Sequence, residues 1–216
     1  MAPKKLVPAL LTGLLGLSIA ACSDPSVEKD AIPTPAPSSE PGSSNGVPQV
    51  SRPLDASSFL EDPCKLVDNQ TLSAFGEFEE GEPDVDSNHA QKLIGPTCVW
   101  YGKQDVGRAV SVIIDTPHQK YAQPHLRGLA GVYASKESGS LDYLQAVEID
   151  SHPGYPAVIA GNRKDMEEGN RCVVYVGIAD DLTIKTSLDG GRDPEEACQV
   201  AQKVAAAVLD TLKQAN

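Results

Sequence analysis

The clearest alternation of apolar and polar positions lies in RCVVYVGIAD and DLTIKTSL, two runs that meet at Asp180 and Asp181. Successive side chains of a strand point to opposite faces, so Cys172, Val174, Val176 and Ile178 share one face of the first run. In the second run Leu182, Ile184, Thr186 and Leu188 face one way, and Thr183, Lys185 and Ser187 are expected to face water. The aspartate pair between them predicts a hairpin. Shorter β-branched runs predict further strands in TCVWYGK and RAVSVIID, with Gly107 in the connection, and in LQAVEID and PAVIAG, around a turn that holds His152, Pro153, Gly154 and Pro156.

After Gly190 and Gly191 a three-and-four spacing replaces the alternation. Cys198, Ala201, Val204, Ala205, Val208 and Leu212 lie on one face of a helix. That helix opens with Asp193 as N-cap, Pro194 at its first position and Glu196 three residues after the cap. Helical spacing also marks residues 118–138, interrupted at Pro124, and PCKLVDNQTLSAF predicts one or two helical turns ending at Gly76. Asp68 or Asn69 serves those turns as a cap, a simpler role for NQT than the glycosylation sequon it formally spells. EFEEGEPDVDSNHAQ has no period and reads as an irregular acidic loop. Strands joined in hairpins predict an α+β domain: an antiparallel sheet of about five or six strands with helices packed on one face.

The amino-terminal end reads differently. Lys4 and Lys5 precede an apolar run from Leu6 to Ala21 that contains Pro8 and Gly13 and has no basic flank behind it. A spanning helix needs about 20 mainly apolar residues, so the run reads as a cleaved export signal covering residues 1–21. Ile19, Ala20 and Ala21 before Cys22 resemble the bacterial lipobox, in which the cysteine sulfur receives a diacylglycerol. The mature chain is then expected to begin at Cys22, held in the bilayer by acyl chains such as palmitate. Residues 22–58 are dominated by Pro, Ser, Gly and Ala and are expected to be a disordered tether, because they bury too little apolar surface to offset ordering. Residues 59–216 form a single globular domain on this reading. Its expected location is the extracytoplasmic face of the cell membrane, lipid-anchored in the cell envelope.

Outside the cytoplasm the other four cysteines are expected to form two disulfides, for which sequence alone permits three connectivities. The faces assigned above narrow them: Cys172 faces the helix that carries Cys198, and by similar logic Cys64 pairs with Cys98. None lies in a CxxC pair, which disfavours zinc. DVDSN at 84–88 has carboxylates at alternate positions like the start of a calcium loop, but His89 and Gly95 occupy the sixth and twelfth places where glycine and an acid are needed. No metal and no cofactor are expected. The chain has 18 basic and 30 acidic side chains; loss of residues 1–21 removes Lys4 and Lys5 and no acid, leaving 16 basic and a net charge of −14. With no basic cluster after Lys5, nucleic acid is not an expected partner. No GxSxG occurs within residues 59–216, and His89, His118, His125 and His152 are expected to be solvated, so no catalytic residue is assigned. Trp100 is expected to pack beside the Cys98 bridge, with Tyr101 on the opposite, partly exposed face.

DPCKLVDNQTLSAFG, CVWY, GYPAV, RCVVYVGIADDLTIKTS and ACQVAQKVAAAVLDTL, in that order from about Asp62 to Leu212, resemble the actinobacterial, mycobacterium-like envelope lipoproteins that carry domain of unknown function 3558. The resemblance implies an envelope lipoprotein and a sheet with helices of the PsbP and Mog1 type. It supplies no reaction and no catalytic residue. The expected function is a non-catalytic binding or interaction module, with the bilayer as partner through Cys22 and an envelope protein or a small apolar ligand as the other. The alternative is an envelope hydrolase, its site formed only in three dimensions around His118 or His152. An apolar pocket favours carriage; a histidine within reach of a serine or carboxylate favours catalysis. The anchor has a direct check: Cys22→Ala is expected to keep its unprocessed mass, and a variant found in the membrane at the processed mass would refute lipidation.

Overall fold

A computed structural model describes residues 46–216, and the predicted hairpin lies at its centre. Strands β1 (Glu82–Asp84), β2 (Thr97–Tyr101), β3 (Ala109–Ile114), β4 (Tyr143–Val147), β5 (Ala157–Gly161), β6 (Cys172–Ala179) and β7 (Leu182–Asp189) form one sheet in the order β1-β2-β3-β7-β6-β5-β4. Every neighbouring pair is antiparallel. Seven strands replace the five or six expected. The additional one is β1, within the stretch read as an irregular acidic loop. Its three residues carry no apolar alternation; what holds them is backbone pairing of Glu82, Pro83 and Asp84 with Val99, Cys98 and Thr97. Proline is tolerated there because the strand is an edge.

The helices are α1 (Asn69–Ser73), α2 (Thr116–Tyr121), α3 (Gly128–Glu137), α4 (Arg163–Glu168) and α5 (Pro194–Ala215). Asp193 caps α5 by accepting from the Glu196 amide at 2.7 Å, while the Glu196 carboxylate accepts from the Arg192 amide. Its buried residues Ala197, Val200, Ala201, Val204, Ala205, Val208, Leu209 and Leu212 meet Cys172, Val174, Val176, Ile184 and Leu188 of the central hairpin. Truncating one of the large aliphatic side chains in such a seam to Ala costs about 2–5 kcal/mol.

Helices cover both faces of the sheet, not one. Opposite α5, α3 brings Leu129 and Val132 onto Val158 and Ala160, with Tyr175 and Leu144 at the margin. Two glycines permit this second layer. Gly177 leaves room for Leu129 and Val50, each of which would lie 3.1 Å from an added Cβ. Gly128 adopts φ +57°, and a Cβ there would meet the Asp180 carbonyl of the β6–β7 turn at 2.5 Å. The helix is short and its buried stripe is narrow, so the sequence offers little sign that it covers a sheet face. A consequence is that Thr183 and Ser187, expected to face water, are buried.

The packed chain also starts earlier than Phe59. Val50, Leu54 and Ala56 are buried. The Val50 amide donates to Asp180 Oδ1 at 3.1 Å, the Leu54 amide to the Ile178 carbonyl at 2.8 Å, and the Asp55 amide to Asn216 Oδ1 at 2.8 Å. Isolated apolar residues in a Pro/Ser-rich stretch have no period of their own, yet each can fill a place on a surface the domain already provides. Cys22 and the expected signal and lipobox lie outside the described residues, as does the first part of the tether. Among the described residues no helix is long and apolar enough to cross a membrane.

Candidate functional site

The alternation of β7 places Thr183, Lys185 and Ser187 on the face covered by α3, and the pairing of β6 with β7 sets Tyr175 directly across from Lys185. On the other side of β7, β3 pairs Ile114 with Ile184. One residue further, the Asp115 amide donates to the Thr183 carbonyl at 3.1 Å, as the chain leaves β3 for α2. Asp115 is thereby fixed at the end of an apolar strand, beneath the surface.

Asp115 is 5% exposed. His118, one turn along α2, lies with Nδ1 2.9 Å from Oδ1; Lys185 Nζ lies 3.1 Å from Oδ2, and the Thr183 hydroxyl donates to Oδ2 at 3.3 Å. Burial alone would push the Asp115 carboxyl up, but the His118 hydrogen bond and the Lys185 ammonium outweigh it, and its pKa lies below the ordinary value. Burial pushes the Tyr175 hydroxyl up, and the Asp115 carboxylate adds to the rise. Lys185 Nζ also sits 5.6 Å from the centre of the Tyr175 ring, within reach of a cation–π attraction.

These groups open into a cleft of about 140 Å³ between α3 and the sheet, lined by Asp115, His118, Tyr175 and Lys185 on one side and by Val132, Ser135 and Leu141 on the other. The Ser135 hydroxyl donates to the Gly131 carbonyl at 2.8 Å, and Ser140, at the same cleft, bonds Ser138 at 3.0 Å. The nearby serines are therefore engaged elsewhere. Among the described residues no serine or threonine hydroxyl bonds either His118 or His152.

His118 was expected to be solvated. It is half exposed, with its inner nitrogen tied to Asp115. His152 departs further from that expectation: its side chain is 1% exposed and packs against α5, with Nδ1 3.2 Å from Lys213 Nζ and Nε2 3.3 Å from Asp210 Oδ1 without a hydrogen bond to it. Burial pushes its pKa down, and Lys213 adds to the fall. The loop that carries it looked polar because Pro153, Gly154 and Pro156 surround it, but the turn folds onto the helix and buries the ring. His89 and His125 are exposed.

Cys64 is joined to Cys98, and Cys172 to Cys198. In the chain-entropy treatment, whose mechanism is disputed, loops of 34 and 26 residues give about 3 to 4 kcal/mol each. Trp100 is buried beside the first bridge: a Cβ added at Gly81 would meet both Trp100 Nε1 and Cys98 Sγ within 2.7 Å. Tyr101 is exposed. Asp84, the first residue of the calcium-like run, accepts from the amide and hydroxyl of Ser87. A larger, shallower groove of about 840 Å³ runs along Glu77, Glu79 and Glu80. Its carboxylates are solvated surface groups with no buried partner, so the smaller cleft carries the organised chemistry.

Asp115, Thr183, Tyr175 and Lys185 were not singled out as site residues by the sequence. The available signal was an aspartate ending the apolar strand RAVSVIID, together with a Thr-Lys-Ser face opposite a tyrosine. A folded-state pKa below that of the unfolded chain means that Asp115 stabilises fully above about pH 4 and that this contribution is lost as the pH falls through the folded value. Asp115→Asn is expected to lose about 3 kcal/mol at neutral pH by urea unfolding, with the gap to the parent narrowing as the solution is acidified below about pH 4. An undiminished gap in acid, or none at neutral pH, would contradict the pairing described.

Comparison with known proteins adds the family. No curated protein and no solved structure matches the chain. The family described as "Protein of unknown function (DUF3558)" matches residues 17–211, nearly the whole length. The chain belongs to that family.

Proposed function

We propose that this protein is a lipid-anchored lipoprotein on the extracytoplasmic face of an actinobacterial cell membrane, and that its domain is a non-catalytic binding module. The observation that carries the binding role is the cleft under α3, where a buried carboxylate that already accepts from three side chains holds an ammonium and an imidazole in fixed places. Such a cluster orients donors for a ligand. It lacks a nucleophile on the histidine, which a hydrolase of the triad type needs. The anchor rests on Lys4, Lys5, the apolar run and the lipobox-like residues before Cys22; the family match, which begins at residue 17 and runs through Cys22, is in keeping with it. The two disulfides agree with an oxidising compartment. A sheet between helical layers is also what a PsbP and Mog1 type of fold would have, and we keep that likeness as part of the same reading. The ligand is small, and the apolar character first expected of it applies to the Val132 and Leu141 side of the cleft.

One observation favours the hydrolase as a second reading: Asp115 accepts from His118 Nδ1, the arrangement that leaves Nε2 free as a base. A single preparation separates the two. Amide shift mapping with a mixture of small neutral and charged compounds is expected to move signals of Gly128–Glu137, Tyr175 and Lys185, with no turnover of activated esters. Ester turnover that disappears in His118→Gln would overturn the binding module in favour of the enzyme.

A further inference from the structure

The donors and acceptors in the cleft are unequal, and the inequality selects a ligand charge. Asp115 Oδ1 is taken by His118, and Oδ2 by Lys185 and Thr183. A carboxylate accepts about four hydrogen bonds; three are filled and the group is buried, so it offers an incoming molecule almost nothing. The other side of the account is open. An ammonium has three N–H donors, and Asp115 is the sole acceptor that Lys185 meets among the described residues. The Tyr175 hydroxyl meets no acceptor there either. Lys185 is held in place by Asp115 below it and the Tyr175 ring beside it, with its side chain 14% exposed.

We propose that the cleft takes the carboxylate of a small organic acid, held by Lys185 Nζ and the Tyr175 hydroxyl, with the acid's apolar body against Val132 and Leu141. This rests on the binding role proposed above and deepens it. Size sets the body: a cavity of about 150 Å³ holds a benzene ring, and this one has about 140 Å³. The occupant is a single ring or a short chain, or the acidic end of a longer molecule. Charge sets the head group. One ammonium, already shared with Asp115, suits a monoanion better than a doubly charged phosphate, for which clustered cations are the usual device. An ammonium ligand would meet the Lys185 charge, with the one carboxylate of the cleft already neutralised by it. Local charge matters more here than the protein's net negative charge, because interactions between solvated charges fade over about 10 Å at ordinary salt whereas the Lys185 contact is direct.

The test compares benzoate, benzamide and benzylamine, which share a ring and differ in charge, by amide shift titration of the full chain. Benzoate is expected to move signals of Gly128–Glu137, Tyr175 and Lys185 with an affinity roughly tenfold above that of benzamide, the ratio a charge-assisted hydrogen bond supplies. Tyr175→Phe keeps the ring and its packing; it is expected to weaken benzoate several-fold and leave benzamide unchanged. Lys185→Met is expected to erase the preference, with unfolding curves reporting any loss of fold. Benzamide or benzylamine binding as tightly as benzoate would overturn the anion assignment while the binding role stands. Failure of all three to shift the cleft would overturn both.

Discussion

Helix α5 lies across the central hairpin, and every other part of the domain is arranged around that contact. Its buried stripe meets the apolar face of β6 and β7, and the Cys172–Cys198 bridge joins helix to strand at one end of the seam. Even the polar residue on that face is accommodated: the buried Thr186 hydroxyl donates to the Ala201 carbonyl of the helix at 2.8 Å. A buried polar group left without such a partner would cost about 1–3 kcal/mol. With this face sealed, the opposite face is relieved of carrying the main core.

That opposite face is covered by a shorter and less apolar layer. Leu129 and Val132 form its buried contact, and Gly177 and Gly128 set how closely it approaches. Polar groups survive beneath it because they satisfy one another. Asp115 binds His118, Lys185 and Thr183, and Ser111 binds Ser187 at 2.7 Å. Buried ion pairs are weak evidence for stability in themselves, since desolvation offsets much of their attraction. Their value here is positional: the carboxylate fixes two side chains that would otherwise be long and mobile, at the edge of a cleft.

Most of the sheet was legible because alternation is a strong local signal. RCVVYVGIAD and DLTIKTSL gave β6 and β7 with the residues that face α5, though not the burial of Thr183 and Ser187 behind them, and the face argument brought Cys172 to Cys198. The capping residues of α5 were legible for the same reason: Asp193 and Glu196 act within one turn. What escaped was whatever depends on a distant surface. β1 exists through its pairing with β2, Val50 and Leu54 pack only because the hairpin end is there to receive them, and His152 is buried by a helix more than fifty residues away in sequence. The candidate site belongs to this second kind. Lys185 reads as a solvated strand residue until α3 is laid over it, and Asp115 reads as the mere end of a strand until Thr183 and Lys185 are brought beside it by the β3–β7 pairing.

Labour is divided between two faces, one a sealed core and the other a thinner layer beside the cleft. Amide hydrogen exchange under native conditions measures this division most directly, because it resolves the free energy of opening segment by segment. Amides of β6, β7 and α5 are predicted to exchange last and together, at the free energy of global unfolding, while those of α2 and α3 exchange sooner through local opening. Amides of α3 as slow as those of α5, or α5 opening before α3, would contradict the account.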